Sequence, residues 1–296
     1  MYIFFLVISL FFYTFLEANE KFFTWPILTE NLDSRISSLF GESRGDHFHN
    51  GIDISSENEP VRAIGYGTVV YSRYSSDDPF LNPLGTGNCV WVAHEKGYLS
   101  GYLHLKDGRE KGFLSKEDIM QSEVLGRTGN TGHSKGSHLH FILARDYGRV
   151  LVNPLLFLPP VQDTLPPQIT QVILTNNEKY TFINNGDTIN ISKPFPISVS
   201  IFDKTNKAGF ERGIQHVIFK FNGKKYKEVQ FNQIFLKDRY WVNDEGFKFE
   251  ELYFKNNYFI GELNFLSGEN SIEIEAFDFN RNSTKKIISF YVNRIK

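Results

Sequence analysis

The sequence predicts an all-β fold in two successive units, and three observations carry that expectation. Apolar residues recur with period two in the second half, as in Pro196-Ile-Ser-Val-Ser-Ile-Phe-Asp203, which sets Ile197, Val199 and Ile201 on one face. The first half holds β-branched and aromatic runs broken by glycines, at residues 61–71, 88–93, 98–105 and 138–144. Only residues 115–120 carry a helix signature, with Ser115 as N-cap and Asp118 three residues on.

The elements follow in chain order. Residues 1–16 have no charged side chain, and the apolar run at residues 3–15 has the length of a signal-peptide core. Ala18 offers a small residue before a cleavage point, so residues 1–18 are expected to be a signal peptide or an N-terminal anchor. The run is short of the ~20 residues a membrane span needs. No Lys or Arg precedes it, so an uncleaved anchor remains the alternative and would be the chain's one attachment to a membrane. No cysteine follows it, which excludes lipoprotein processing. Export to the periplasm or cell envelope is the expectation.

Residues 19–160 form the first expected unit and residues 161–296 the second. Pro159-Pro160 and Pro166-Pro167 mark the join, since proline continues neither a helix nor a central strand. In the second unit, residues 217–221 and 224–231 flank Asn222-Gly223, a strong hairpin signal. Residues 271–279 alternate again, and residues 287–292 supply a last strand. About seven short strands in about 130 residues fit an accessory antiparallel sandwich of immunoglobulin-like type.

Composition excludes more than it assigns. A length of 296 residues and 41% apolar content suit two cores, and a net charge of −2 gives no general attraction for nucleic acid or anionic lipid. Cys89 is the only cysteine, so neither an internal disulfide nor a cysteine-based zinc ribbon can form. Followed by Val90, Trp91 and Val92, it reads as a small core residue.

Seven of the eight histidines fall before Pro159, and their spacing points to chemistry. In His49-Asn-Gly-Ile-Asp53, an extended backbone would project His49 and Asp53 to one side past Gly51. In His138-Leu-His140 the two imidazoles share a strand face, and Gly101-Tyr-Leu-His104-Leu supplies one more at a strand end. Two histidines and one aspartate make a three-ligand zinc site with an open fourth position. Two further histidines are then left for proton transfer and charge stabilisation.

Several motifs sharpen this. Gly41-Glu-Ser-Arg44, His47-Phe-His49-Asn-Gly-Ile-Asp53, Pro60-Val-Arg-Ala63-Ile-Gly-Tyr-Gly67, Tyr102-Leu-His104-Leu, Val124-Leu-Gly126-Arg-Thr-Gly129-Asn-Thr-Gly132, Ser137-His138-Leu-His140-Phe and Asn153-Pro154 run in order. Over roughly residues 35–158 the chain resembles the lysostaphin/LytM-type zinc endopeptidases. The resemblance implies a β-rich catalytic groove, zinc bound by His49, Asp53 and His140, and His104 and His138 beside the metal without ligating it. It implies hydrolysis of stem or cross-bridge peptides of bacterial peptidoglycan. Family relatives that have lost ligands act instead as non-enzymatic regulators of other wall hydrolases, whereas all five groups are present here. The chain departs from the family at Ser137, often Pro, and at Ile142, often Glu, which bears on substrate fit.

Glycines 126, 129 and 132 are expected to let loop backbone approach an extended peptide, and Tyr102 to line the same groove. His47 lacks the family spacing to Asp53 and reads as a groove-edge residue, and His133 as an exposed loop residue. His94-Glu-Lys-Gly-Tyr98 begins like a helical zinc motif but lacks its second histidine and reads as a turn. His216 reads as structural, and the aromatic-rich second unit as a sandwich core.

Overall fold

A computed structural model describes residues 23–77, 85–108, 117–206 and 209–295. The expected signal segment, residues 1–18, lies outside them. The first region supplies strands β1 (Ile36–Ser38), β2 (Ile52–Ser55), β3 (Pro60–Arg62), β4 (Gly67–Arg73), β5 (Asn88–Ala93), β6 (Leu99–Leu105), β7 (Asp118–Ile119), β8 (Val124–Arg127), β9 (His138–Arg145) and β10 (Val150–Val152). The second supplies β11 (Gln168–Asn176), β12 (Lys179–Ile183), β13 (Thr188–Ile191), β14 (Pro196–Lys204), β15 (Glu211–Arg212), β16 (His216–Phe221) and β17 (Lys224–Gln230). It continues with β18 (Gln233–Lys237), β19 (Tyr240–Val242), α1 (Phe249–Leu252), β20 (Tyr253–Phe254), β21 (Asn257–Glu262), β22 (Gly268–Phe277) and β23 (Ser283–Arg294). The fold is all-β.

One sheet runs β19-β18-β10-β9-β6-β5-β4-β7, and β2 joins it on β9 with β1 alongside. Its core face is apolar because the pleat sends alternate residues inward: Ile52, Ile54, Val90, Val92, Tyr102, Leu139 and Phe141 are all fully buried. Each such side chain contributes roughly 2–3 kcal/mol on burial. Cys89 packs with Leu103 and Ile142 in a small separate cluster.

Two further sheets form the sandwich, β12-β11-β14-β21-β20 with β15 beside β14, and β13-β23-β22-β16-β17. Val172, Leu174, Ile197 and Val199 from one share a core with Val217, Phe219, Ile272, Ile274 and Phe290 from the other. Asn222 and Gly223 turn the β16–β17 hairpin with positive φ of 47° and 77°, as a two-residue loop demands.

Two features differ from the sequence reading. Within residues 115–120, Asp118–Ile119 is a strand that pairs with Gly67 and Thr68, and Ile119 is buried. Burial of Ile119 outweighs the short local capping signal, while Ser115 lies outside the described residues. The hairpin β18–β19, from the second region, extends the first region's sheet through β10, with Val150, Leu151 and Val152 opposite Phe235, Ile234 and Gln233.

Candidate metal centre

The register of β2 against β9 builds the site. Asp53 lies opposite His140 and Ser55 opposite His138, while Ile54 and Ile52 face Leu139 and Phe141 on the core side. One face of two neighbouring strands therefore carries a carboxylate and two imidazoles, and Asp53 Oδ1 is 2.7 Å from His140 Nδ1.

His49 arrives from the bend before β2, since the strand itself begins only at Ile52. Its N–H donates to the Glu42 carbonyl (2.7 Å) and its carbonyl accepts from the Gly41 N–H (2.8 Å). Its Nε2 then sits 3.2 Å from Asp53 Oδ1 and 3.1 Å from His140 Nδ1. A Cβ on Gly51 would lie 2.3 Å from the Phe141 carbonyl oxygen and 3.2 Å from His140 Nε2. The glycine is needed for that close strand approach.

His104 reaches the same hollow by breaking the pleat. Leu103 lies opposite His140 and Tyr102 opposite Phe141, so regular alternation would turn His104 toward the core. Its φ of +61° brings the ring back, 4.9 Å from that of His138 and 5.8 Å from that of His140. A left-handed conformation costs a non-glycine residue about 1–2 kcal/mol. Bonds from the His104 N–H to the Thr86 carbonyl (3.1 Å) and from Nδ1 to the Thr131 carbonyl (2.8 Å) hold it there.

The four rings are oriented by what their outer nitrogens touch. A carbonyl oxygen only accepts, so a ring nitrogen facing one carries the hydrogen. His49 Nδ1 donates to the Leu39 carbonyl (2.7 Å) and His138 Nδ1 to the Gly136 carbonyl (2.8 Å), as His104 Nδ1 does to Thr131. The neutral form of each ring then has its lone pair on Nε2. His140 is turned the other way: its Nε2 meets Asn50 Oδ1 at 2.9 Å, which frees Nδ1 toward Asp53. Such partners fix the ring orientation that metal binding requires.

Burial works against the charge of Asp53, but His49 and His140 beside it prevail and hold its carboxyl well below the usual range. Burial lowers His140 to about 4 against the opposing pull of Asp53, and burial also lowers His104. The second carboxylate oxygen of Asp53 accepts from Arg44 Nη2 (2.5 Å), which also donates to Ser38 Oγ (2.9 Å). His138 Nε2 stands 3.7 Å from Asp53 Oδ1.

The donor atoms of His49, Asp53 and His140 lie within 4.8 Å of one another, a buried nitrogen–nitrogen–oxygen set that suits a zinc ion with one position open. A second close group, Asp163, Asp203 and Asp278, surrounds a cation of the chain's own. Arg212 donates there to Asp163 (2.8 Å) and Asp203 (2.7 Å), and also to Asp33 (2.9 Å).

A family model described as peptidase family M23 matches residues 47–154, and a second model without a functional description matches residues 166–293. The chain carries a peptidase M23 domain. The peptidoglycan DD-endopeptidase ShyC of Vibrio cholerae is 31% identical over 139 residues, 47% of this chain and 27% of that protein. The DD-carboxypeptidase/endopeptidase Mpg of Neisseria meningitidis is 31% identical over 144 residues, covering 47% and 29%. The murein hydrolase activator NlpD of Salmonella dublin is 31% identical over 137 residues, covering 46% and 31%. The chain thus spans less than a third of the length of these relatives.

The M23 domain's hollow is an open groove of about 960 Å³, and some of the other sequence candidates line it. His47 and His133 line it as exposed side chains, and His47 Nδ1 meets Asp46 at 2.5 Å. Tyr102 does not line it: its ring is buried against Phe141, and its hydroxyl accepts from the Ile64 N–H (2.9 Å) and the Ser100 hydroxyl (3.0 Å). Gly132, at φ +76°, packs against Gly87 of the chain itself, with its missing Cβ 2.3 Å from that nitrogen. This glycine serves the loop's own packing. His94 sits at a turn, bonded to the Tyr66 carbonyl and Ser100, and His216 stacks on Phe277 while meeting Glu228 at 2.9 Å. Sequence reasoning missed Asn50 and Arg44 as partners of His140 and Asp53, although both stand inside the quoted motifs.

Proposed function

We propose that the chain is an exported zinc endopeptidase that hydrolyses peptide bonds in the stem or cross-bridge peptides of bacterial peptidoglycan. The observation that carries this reading is the set of three inward-facing donors on His49, Asp53 and His140, with two more imidazoles at the same hollow. A zinc ion held there would supply Lewis acidity toward a carbonyl oxygen and make water acidic near neutral pH. His104 and His138 each present an Nε2 lone pair toward the centre. One accepts the proton of the attacking water and passes it to the leaving amine, and the other, when it carries a proton on Nε2 as well, donates to the carbonyl oxygen as charge grows there. Residues 161–296 serve as the accessory unit, with the division at Pro159-Pro160.

The likeness to a murein hydrolase activator favours a second reading, in which the groove binds but does not cut. Completeness of the five groups supports the enzyme. Purified full chain should release soluble peptides from isolated sacculi without any other hydrolase, and mass analysis should identify the bond broken. Release only when a second hydrolase is added would establish the activator instead.

A further inference from the structure

The groove is not walled by the M23 domain alone. Strand β15 lies against β1, and Phe210 and Glu211 line the hollow together with His49 and Asp53. Arg212, the next residue, points the opposite way, into its buried carboxylates Asp33, Asp163 and Asp203. One side of this strand is therefore anchored between the two regions while the other faces the groove. The Gly213 N–H donates to Glu42 Oε1 (2.7 Å), a second tie beside the His49 bend.

The charges of the groove single out Glu211. The oxygens of Glu42 are taken by Ser38, the Leu39 N–H and the Gly213 N–H, and those of Asp53 face the imidazoles and Arg44. Among the described residues the Glu211 carboxylate meets only Lys204, at 3.9 Å, and its side chain stays 59% exposed. The strand order β6–β9–β2–β1 puts β15 on one side of the metal centre. The opposite loop, tied to Gly85 through the His133 N–H (3.0 Å), presents the exposed Lys135. Arg44 also lines the groove, with its guanidinium held by Asp53 and Ser38, so among the described residues the unneutralised charges are Lys135, which repels a cation from one wall, and Glu211, which draws it to the other.

We propose that Glu211 is a specificity residue that binds a protonated amine on the substrate peptide, with Phe210 offering an apolar surface to the carbon chain bearing it. The inference rests on the endopeptidase reading and assigns part of its substrate recognition to the second region.

The test uses the full chain and two labelled peptidoglycan peptides, one with a free side-chain amine and one acetylated at that amine. The wild type is expected to bind the free-amine peptide about fivefold more tightly, the worth of one partly exposed ion pair. That preference should shrink with added salt. Glu211→Gln should bind both alike, raising KM for the free-amine peptide with kcat unchanged, and Glu211→Asp should keep part of the preference. Equal binding by the wild type, or a preference that survives in Glu211→Gln, overturns the proposal. Cleavage is followed in parallel: amine-dependent binding without cleavage defeats the endopeptidase reading alone, and cleavage without amine preference defeats Glu211 alone.

Discussion

His104 shows how much of the site is decided by single residues and their outermost contacts. Its left-handed backbone and its bond to Thr131 present one neutral nitrogen to the centre, and burial keeps the ring neutral below the ordinary histidine range. A neutral ring accepts protons, so activity should be lost only as pH falls through that lowered pKa. The acid limb of the kcat/KM profile is expected below pH 6.5; a limb above that value would remove His104 as the proton acceptor. Asn50 acts through His140 by fixing which nitrogen is free. Asn50→Ala should weaken zinc binding roughly 10–100-fold in chelator competition while leaving the fold intact. The shared face of His138 and His140 was legible in the sequence because strand alternation is local, whereas His49 reaches Asp53 from a bend and not from the extended backbone its spacing suggested. The turn of His104 was not legible, since bonds to Thr86 and Thr131 impose it from elsewhere in the chain.

At the scale of elements, the site depends on how closely the bend before β2 approaches β9. Gly51 permits that approach, because a Cβ there would meet the Phe141 carbonyl at 2.3 Å. Gly51→Ala should cost about 1–3 kcal/mol of stability through the forced backbone shift. It should also lower zinc affinity, read by denaturation and by metal competition on the same sample. Retained affinity would mean that the bend moves independently of the strand pair. Strands such as β5 and β9 were readable from their compact apolar runs. Residues 118–119 were not, because their strand exists only by pairing with β4.

At the scale of the whole molecule, the second region supports the His49 segment directly. Phe48, between two histidines, packs edge-on against Phe231 (6.3 Å), Phe249 (5.4 Å) and Tyr253 (6.3 Å). The Tyr253 hydroxyl donates to the Gly41 carbonyl (2.8 Å). Phe231→Ala should therefore cost about 3–5 kcal/mol and lower zinc affinity as well. Phe290→Ala, within the sandwich core, should cost stability alone; equal effects of the two on zinc affinity would contradict this support. Period-two alternation revealed the sandwich, but no local pattern could show that its aromatic residues brace His49. The proposed hydrolysis depends on one metal ion held by three side chains, a dependence read by a zinc titration of the metal-free full chain on sacculi. Peptide release should rise to a plateau at one zinc per chain. His49→Ala, Asp53→Ala and His140→Ala should lose both zinc and release. His104→Ala and His138→Ala should keep zinc and lose about 10²–10⁴-fold in rate. Full release by the metal-free chain, or by His140→Ala, would contradict it.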